Sequence, residues 1–540
     1  MDLRNDFSDV ERKKCMEKRH VVFVTTVTAS NKTAEENLGI GYLAAVCEEQ
    51  GFEVHVIDGW LENMSLDEVI NRIPLHTQPL CIGFSCNQLN GITAIEAAKI
   101  LKKRGCDIPL VAGGFAPTFD PGKFLKGGFD FVSIAEGELC ILEIANRLSK
   151  GQTDLYNIPG IAYLDGNGKV IINPTKSVDS LDMLPFPNRK TMKFVVANKT
   201  PVNMATSRGC MSNCLFCSIS AFWKMTDAPQ WRGRGYSNIV DEIEYLYNKG
   251  VRHIKFVDDS FLEPPRDDQW CENFANLVQE RKIDVRLRIT LRADRVTERS
   301  ISALTRAGCN LFCCGIENFS DSALRRMGKR ASSAVNQNAL DIFKQNNVYV
   351  QMGFILFDYG TTMEELKENY RLLNKYSWTI CRGVFSEMYA AKGTRYTSLL
   401  MNKGIIKGDI YLENYTYKIC DPKARMAYYA IKAWHISHMR MYNLVIEPIN
   451  KPKVIDDDLF HKFYLVYQEI RKRDLEFMGE IIDLIDTGVE NGELNDYVRT
   501  TIQENKKWFE ECQGKINQLY ALAGIDYVAE EDPFTVQPCL

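Results

Sequence analysis

Apolar and polar positions fall into two long series along the chain, and in each series the pattern predicts strands separated by helices. In the first series, short runs rich in β-branched and apolar residues occupy positions 20–27, 53–58, 80–85, 109–112 and 129–134. Continuous apolar runs of this length are typical of parallel strands that are buried on both faces. Helical segments lie between the runs, so residues 19–150 are predicted to form a Rossmann-like open α/β sheet.

A second strand–helix series follows a connector at residues 151–195, which carries a predicted hairpin. Its apolar runs lie at residues 202–206, 251–257, 285–289, 311–316 and 348–354. Parallel strands joined by helices, with polar residues at the strand ends, favour a partial (β/α) TIM-like barrel over residues 196–395. Residues 1–18 are predicted to be a tail and residues 396–540 a mainly helical domain. Helices of that last domain are predicted near 426–441, 459–471, 474–487 and 496–520.

The overall composition indicates the class of protein and the cellular compartment in which it is expected. With 45 % apolar and 25 % charged residues, the 540-residue chain has the composition of a globular protein. The formal net charge of −4 gives no support for nucleic acid as a partner. No apolar run approaches the roughly 18–20 residues of a membrane helix, so no membrane span is predicted. The 17 cysteines and the lack of a signal-peptide pattern predict a cytoplasmic protein with reduced thiols.

The segment 207–217 carries three cysteines, Cys210, Cys214 and Cys217, in a C-x3-C-x2-C pattern. A structural zinc site needs four ligands, and no second cysteine pair follows at the required spacing. Three thiolates on one loop suit three irons of a 4Fe–4S cluster and leave the fourth iron open to a substrate. The competing interpretation is three cysteines buried in a core.

This cysteine pattern, with Phe216 directly before the third cysteine, resembles the signature of radical S-adenosylmethionine (SAM) enzymes. The resemblance covers residues 196–395 and implies that the open iron chelates the amino and carboxylate groups of SAM. It further implies that an electron from the cluster cleaves SAM to methionine and a 5′-deoxyadenosyl radical. Phe216 is then expected to lie against the adenine of SAM, or to shield the cluster as an apolar plug.

Four polar residues at predicted strand ends match further positions of this family. Asp258 and Asp259 either contact the methionyl amine of SAM or cap a helix, since carboxylates suit an ammonium group. Arg292 either holds a carboxylate in bidentate fashion or forms a surface ion pair. Glu317 ends a strand that resembles the family's Gly-Ile-Glu strand, and it is expected to hydrogen-bond the ribose or methionyl end of SAM.

The first α/β series carries a glycine-rich loop, Gly113 and Gly114 through Thr118, after a predicted strand. Paired glycines let a ligand approach the backbone closely, although a plain tight turn explains them equally well. Together with 38–45 and 51–54, the loop resembles a cobalamin-binding domain, which implies cobalamin near these three residues. The Asp-x-His-x-x-Gly motif that supplies a cobalt ligand does not occur, so cobalamin without a histidine ligand is expected. A vestigial domain is the alternative.

The C-terminal region adds two histidines, His435 and His438, spaced to share one helix face. No third ligand completes a metal pattern around them, so packing or substrate contact is preferred over metal binding. The remaining cysteines of this region do not form a cluster motif, and no auxiliary iron–sulfur cluster is predicted.

Taken together, the resemblance implies a cobalamin-dependent radical SAM enzyme that methylates an unactivated carbon of a small molecule. The alternative is a radical SAM cyclase, oxidase or rearrangement enzyme that uses cobalamin without methyl transfer or does not bind it. A more remote alternative is a non-catalytic Fe–S electron carrier or sensor. An external electron donor such as flavodoxin or ferredoxin is expected, and a natural-product intermediate or a lipid is the substrate class suggested by analogy.

Overall fold

The computed structural model describes residues 20–27, 35–409, 414–416, 418–450 and 455–525, and the chain divides into two compact units. The first unit extends to Ala197 and also contains Ile219–Gly235. The second unit contains Asn198–Ser218 and the chain from Tyr236 onward. None of the described helices combines the length and the apolar character that crossing a bilayer requires.

The elements of the N-terminal part alternate between strand and helix, as the sequence predicts. In order they are β1 (His20–Thr25), α1 (Leu38–Glu49), β2 (Glu53–Asp58), α2 (Leu66–Arg72), β3 (Ile82–Ser85), α3 (Gly91–Lys103), β4 (Leu110–Gly113), α4 (Phe115–Phe119), α5 (Pro121–Lys126), β5 (Phe131–Ser133), α6 (Glu138–Ser149), β6 (Ile161–Leu164), β7 (Val170–Ile172) and α7 (Met192–Ala197). Short 3-10 turns occur at Leu75–Thr77 and Leu181–Met183.

The first unit is built on one seven-stranded sheet with the order β2-β1-β3-β4-β5-β6-β7. The first five strands in this order are parallel, and β6 and β7 continue the sheet in antiparallel fashion. Successive residues of β1 enter different cores, with Val22 and Val24 in one and Val21 and Phe23 in the other. Both faces of the sheet are therefore covered, which explains why β1 is apolar at almost every position. The strand order reverses between β1 and β3, where open α/β sheets bind their ligands.

The second half of the chain continues with alternating strands and helices and ends in long helices. In order they are β8 (Val202–Met204), β9 (Ser207–Gly209), α8 (Ser218–Trp223), β10 (Trp231–Gly233), α9 (Tyr236–Asn248), β11 (His253–Phe256), α10 (Asp268–Glu280), β12 (Arg286–Arg292), α11 (Glu298–Arg306), β13 (Cys309–Glu317), α12 (Asp321–Arg326), α13 (Ser333–Gln345), β14 (Tyr349–Phe354), α14 (Met363–Lys375), α15 (Arg395–Asn402), β15 (Lys407–Asp409), β16 (Asn414–Thr416), α16 (Pro422–Asn450), α17 (Asp457–Asp486), α18 (Asn491–Glu504) and α19 (Lys506–Leu522). A 3-10 turn lies at Ala293–Arg295.

The second unit contains a five-stranded parallel sheet with the order β14-β13-β12-β11-β8. Isolated parallel bridges, Gln351 with Ile380 and Phe357 with Glu387, extend the pairing beyond β14. The outer face of the sheet carries the helices, as shown by Phe312 of β13, whose ring lies 5.2 Å from that of Phe343 in α13. The predicted α/β class with a C-terminal helical region is confirmed.

The C-terminal helices differ from the prediction in where they begin and end. The segments predicted near 459–471 and 474–487 form one helix, α17, in which Arg471 and Asp474, at the two sides of the predicted break, are buried against other segments. The helix predicted over 496–520 is two helices, α18 and α19, which meet at Asn505. Helix α16 is kinked at His438, whose φ of −136° is not helical.

Candidate functional site

The three cysteines of the C-x3-C-x2-C pattern lie on the loop between β9 and α8. Cys214 is 9 % exposed, and Cys210 and Cys217 are half-buried. The Ser212 N–H donates to the Cys210 sulfur at 3.5 Å, and the Ser212 hydroxyl lies 3.2 Å from the Cys214 sulfur. Burial raises the pKa of the Cys210 thiol to about 12. Hydrogen bonds to cysteine sulfurs are among the features by which a protein tunes an iron–sulfur cluster.

The donor set of this loop fits a cluster better than a single metal ion. Across the part of the chain that the structure describes, no three His, Cys, Asp or Glu side chains are arranged to hold one ion. A single zinc ion would need each of its sulfur ligands at about 2.3 Å. In a 4Fe–4S cluster each cysteine binds a different iron, so the thiols stand farther apart. Three soft thiols on one loop therefore suit the cluster that the sequence predicts.

The cysteine loop is docked on two helices of its own unit through Leu215. Its N–H donates to the carbonyl of Met327 at 2.9 Å, and its own carbonyl accepts from the Tyr396 N–H at 3.0 Å. Gly328 permits the close approach, because it has a φ of +68° and a Cβ there would lie 2.9 Å from Leu215 Cγ. Phe216 is half-buried and packs against the apolar cluster that contains Met327. The loop thus has a fixed position relative to α12 and α15.

Asp258, which follows β11, is buried and supports the entry to the cysteine loop. Its carboxylate accepts from the Thr206 N–H at 2.7 Å, from the Thr206 hydroxyl and from the Ser207 hydroxyl at 2.9 Å. Arg266 lies beside it and donates to the Thr206 carbonyl at 2.6 Å. Asp258 therefore holds the loop backbone in place, and its contact with SAM stays a prediction.

Asp259 binds the residue just before the first cysteine. Its carboxylate accepts from the Gly209 N–H at 3.0 Å, and Gly209 has a φ of +92°. The two neighbouring carboxylates thus clamp the strand that leads into Cys210. Asp259 is half-buried, so its carboxylate has access to solvent on this side.

Glu263 is a fully buried carboxylate that the sequence analysis did not identify. Its Oε1 accepts from Arg292 Nη1 at 2.8 Å and from the Met211 N–H at 3.3 Å. The Cys210 thiol donates to the same oxygen at 3.5 Å. Arg292, predicted to hold a carboxylate, is thus bound to Glu263, and its Nε also donates to Asp294 at 3.0 Å. No motif marks Glu263, since it lies in the loop between β11 and α10 and its partners come from other segments.

Glu317 ends β13 in a strained conformation and is paired with Lys329. Its φ is +66°, and the register between β13 and β14 shifts between Gly315 and Glu317. Lys329 Nζ donates to Glu317 Oε1 at 2.9 Å and to the Gly315 carbonyl at 2.8 Å. Burial, the largest single influence, lowers the pKa of Lys329, but Glu317 together with Cys214 and Cys314 outweighs burial, so the pKa is raised. A non-glycine residue with positive φ at a strand end is typical of functional sites. Lys329 was not identified from the sequence because it lies in an ordinary turn after α12.

The glycine-rich loop of the first unit follows β4 at the carboxyl edge of the sheet. Gly113 is the last residue of the strand. Gly114 has a φ of +101°, and a Cβ at this position would lie only 2.5 Å from the Cys86 carbonyl oxygen. No side chain therefore fits at Gly114. Thr118 is fully buried, and its hydroxyl accepts from the Ala135 N–H at 3.0 Å. Thr118 thereby joins the loops that follow β4 and β5. The two glycines leave backbone accessible where this type of sheet binds ligands.

Small polar side chains line the same edge at the strand-order reversal. The Asn37 amide donates to the Thr25 hydroxyl at 3.0 Å and to the Ser85 hydroxyl at 2.9 Å, which joins the ends of β1 and β3. The described histidines of the first unit do not reach this edge at β1, because His20 starts that strand at the opposite edge of the sheet, where it is 2.7 Å from the Thr77 hydroxyl and His55 packs against it edge to face. The edge offers neutral donors and backbone, and this set fits a large polar cofactor that is held without a histidine ligand.

His435 and His438 lie in the buried interior of the C-terminal helices. His438 Nε2 lies 3.0 Å from Asp474, and the Trp434 indole donates to the same carboxylate at 2.8 Å. Burial lowers the pKa of His435 to about 4. These contacts agree with the packing role that was preferred for the two histidines.

Two family models match the chain, the B12 binding domain over residues 24–145 and the radical SAM superfamily over residues 204–373. The uncharacterized methyltransferase PH0819 of Pyrococcus horikoshii is 26 % identical over 442 residues, which cover 80 % of this chain and 92 % of that protein. The anaerobic magnesium-protoporphyrin IX monomethyl ester cyclase of Rubrivivax gelatinosus is 25 % identical over 346 residues, covering 62 % of this chain and 61 % of that protein.

A solved structure extends the match to the fold. The cobalamin-dependent S-adenosylmethionine radical enzyme OxsB, with aqua-cobalamin bound, has a TM-score of 0.76 at 19 % identity. The match covers 97 % of this chain and 83 % of that chain. The fold, with two parallel sheets followed by a helical C-terminal region, is therefore shared with that structure.

Proposed function

We propose that this chain, which belongs to the radical SAM enzymes that carry a B12 binding domain, methylates an unactivated carbon of a small molecule. The observation that carries the proposal is the presence, in one chain, of a B12 binding domain and a three-cysteine loop beside a second parallel sheet. When bound, the 4Fe–4S cluster with SAM supplies a 5′-deoxyadenosyl radical, and cobalamin supplies the methyl group. The likeness to a methyltransferase along 92 % of its length supports transfer of a methyl group.

Cys210, Cys214 and Cys217 would hold the cluster. Glu263 and Arg292 would keep the backbone beside the first of these ligands in place, because Glu263 accepts from the Met211 N–H and from Arg292. The hydrogen bond from the Cys210 thiol to Glu263 would be lost when Cys210 gives up its proton to bind iron. A buried carboxylate this close to a cluster ligand also adds negative charge beside it. Such charge favours the oxidised form of a cluster and lowers its reduction potential.

Glu317, Phe216 and Asp259 would bind SAM. Lys329 fixes Glu317 Oε1, so one orientation of this carboxylate is set before SAM arrives. A carboxylate in a fixed position suits a ribose hydroxyl or the methionyl amine. Phe216 would offer its half-buried ring or backbone to the adenine, and Asp259 would offer its carboxylate to the amine.

In the first unit, Gly113, Gly114 and Thr118 would shape the cobalamin site. The glycines keep side chains out of the carboxyl edge of the sheet, and Thr118 holds the two adjoining loops together. The cluster must receive its electron from outside the chain, and we propose flavodoxin or ferredoxin as the donor. Reduced thiols and an oxygen-labile cluster favour the cytoplasm as the compartment.

The test is the stoichiometry of the products. Anaerobically reconstituted enzyme is incubated with trideuteromethyl-labelled SAM, cobalamin, a reductant and a small-molecule extract. We expect a product that carries the labelled methyl group, together with S-adenosylhomocysteine and 5′-deoxyadenosine in equal amounts. Cys214→Ala should abolish both nucleoside products, whereas Cys420→Ala, which removes an exposed cysteine, should not. A product formed with 5′-deoxyadenosine alone would contradict methyl transfer.

A second candidate function is a radical cyclisation or rearrangement without methyl transfer. It is favoured by the 25 % identity to the Rubrivivax gelatinosus cyclase. The same experiment separates the two functions, because the second predicts an unlabelled product and no S-adenosylhomocysteine.

A further inference from the structure

The inner face of the five-stranded sheet carries positive charge that the functions described so far do not use. Phe312 packs on Phe343 of a covering helix, so the residues that alternate with it on β13 point to the opposite, inner face. Cys313 is one of them, and it pairs in register with Thr290 and Gln351.

The same register places two cations on that face. Arg288 is two residues before Thr290 on β12, and it pairs with Lys255 of β11. Their strand neighbours Ile254, Leu287 and Ile289 are at most 1 % exposed, whereas Lys255 and Arg288 are both half-buried. Alternation of this kind shows that one face of the sheet is buried and that the other face is accessible to solvent.

Contacts between side chains confirm the shared face. Arg288 Nη2 donates to Gln351 Oε1 at 2.7 Å, and the Cys313 thiol donates to the same oxygen at 3.0 Å. Burial raises the pKa of Cys313, and the nearby charges of Arg288 and Lys255 oppose that rise. Both cations therefore lie close to Cys313.

Solvent reaches this face above the two cations. Val257, two residues after Lys255, is 37 % exposed, and Gly353, two residues after Gln351, is also exposed. These positions lie between the cations and the strand ends that carry Arg292 and Glu317. The inner face is therefore exposed to solvent at both positions between the two cations and the strand ends.

Arg288 lacks an anionic partner among the described residues. Its one hydrogen bond goes to a neutral amide, and its Nε is buried without a partner. By contrast, Arg286 at the start of the same strand is paired with Asp457. A half-buried guanidinium without a counter-ion is costly, and it suits a bidentate carboxylate or phosphate.

We propose that Arg288 and Lys255 bind an oxyanionic group of the substrate, a carboxylate or a phosphate, inside the barrel. This inference rests on the proposed function and specifies its substrate class. Arg288 and Arg292 are four residues apart on β12, so their Cα atoms are separated by about 13 Å along the strand. The substrate is therefore an anion long enough to bring its reacting carbon to the strand ends while its charged group stays on Arg288.

The test measures anion binding by the reconstituted holoenzyme, with inorganic phosphate and acetate as probes at constant ionic strength. We expect a saturable rise in the unfolding temperature with one of them, and the one that binds identifies the group. Arg288→Gln should weaken binding at least about tenfold, since charge-assisted hydrogen bonds are lost. Lys255→Met should weaken it to a lesser degree. Arg286→Gln, on the same strand, is the matched control and should bind as the wild type does.

The outcomes separate this inference from the proposed function. If neither anion binds saturably, or if Arg288→Gln binds as tightly as Arg286→Gln, the oxyanion site is wrong. Formation of 5′-deoxyadenosine from SAM by reduced wild-type enzyme is measured in parallel. Normal SAM cleavage without anion binding overturns only the oxyanion site, whereas anion binding without SAM cleavage overturns the radical function and leaves the site standing.

Discussion

Glu263 combines full burial with contacts to Cys210, a proposed cluster ligand, and to two arginines. Besides Arg292, Arg295 lies near it, with Nε at 3.3 Å from Glu263 Oε2. Removing one member of a buried ionic group leaves the others without compensation, and this is more costly than losing a surface pair. The position of Cys210 is therefore coupled to the charge of a residue that is distant in sequence.

Glu263→Gln tests that coupling. The glutamine keeps the size of the side chain but removes the charge between the arginines, so we expect a loss of about 3 kcal/mol in unfolding free energy. Cys210 should also be held less firmly, so iron should be lost to a chelator several-fold faster. Urea unfolding and iron release measure the two effects. Glu280→Gln, at an exposed position of α10, should change neither; unchanged iron release in Glu263→Gln would contradict the role of Glu263.

Gly114→Ala tests the backbone edge of the first unit. Its φ of +101° and the 2.5 Å contact with the Cys86 carbonyl exclude a Cβ, so we expect a loss of about 2–3 kcal/mol and weaker cobalamin binding. Cobalamin uptake is followed by visible absorption. Gly105→Ala is the control, because Gly105 also has positive φ, +79°, but open space around it. Equal effects of both substitutions would show that strain, rather than the contact, dominates.

Residues with a local signature could be predicted from the sequence, and residues defined by distant partners could not. The cysteine spacing and the Gly113–Gly114 pair can each be recognised from a few neighbouring residues in the sequence. The roles of Glu263 and Lys329 depend on their contacts with Arg292 and Glu317, respectively. These partners lie in other segments of the chain. Pairings of this kind depend on strand register, which a single sequence does not contain.

At the level of elements, the strands were predictable and the long helices were not. Apolar runs mark the buried strands because both of their faces are covered. In α17, however, Arg471 and Asp474, which border the predicted break between two helices, are almost fully buried, at 0 % and 1 % exposure. The helix continues through them because Asp474 accepts from Trp434 and lies against His438. Tertiary partners thus override the local pattern.

Asp474→Ala tests how strongly this buried contact joins α16 to α17. The substitution leaves the Trp434 indole without its acceptor and Arg471 without the nearby negative charge. We expect a loss of about 3–5 kcal/mol, seen as a lower urea midpoint in tryptophan fluorescence. Asp486→Ala breaks an exposed pair with Lys367 at the end of the same helix and should cost less than about 1 kcal/mol. A similar small cost for both variants would contradict a structural role for Asp474.

At the level of the whole molecule, the two units are predicted to respond to pH in opposite directions. In the first unit, burial raises the pKa of Asp58 to about 7. The unfolded carboxyl releases its proton first, so this contribution to stability is present below about pH 4 and is lost as the pH rises toward 7. In the second unit, burial lowers the pKa values of His253 and His435 to about 4. The unfolded histidines bind protons first, so their contribution is present above about pH 6.5 and is lost as the pH falls toward 4.

Hydrogen exchange resolved by mass spectrometry measures both units in one sample. Between pH 4.5 and 6.5, with rates corrected for intrinsic exchange, Asp58→Asn should make the pH slope of protection in the first unit more positive by up to about 1.4 kcal/mol per pH unit. His435→Gln should make the slope in the second unit less positive by a similar amount. Each variant serves as the control for the other, since each should change the slope of its own unit. If Asp58→Asn leaves the pH slope of protection unchanged in β1 to β5, Asp58 does not have a raised pKa in the folded protein. The prediction that the two units respond to pH in opposite directions is then wrong.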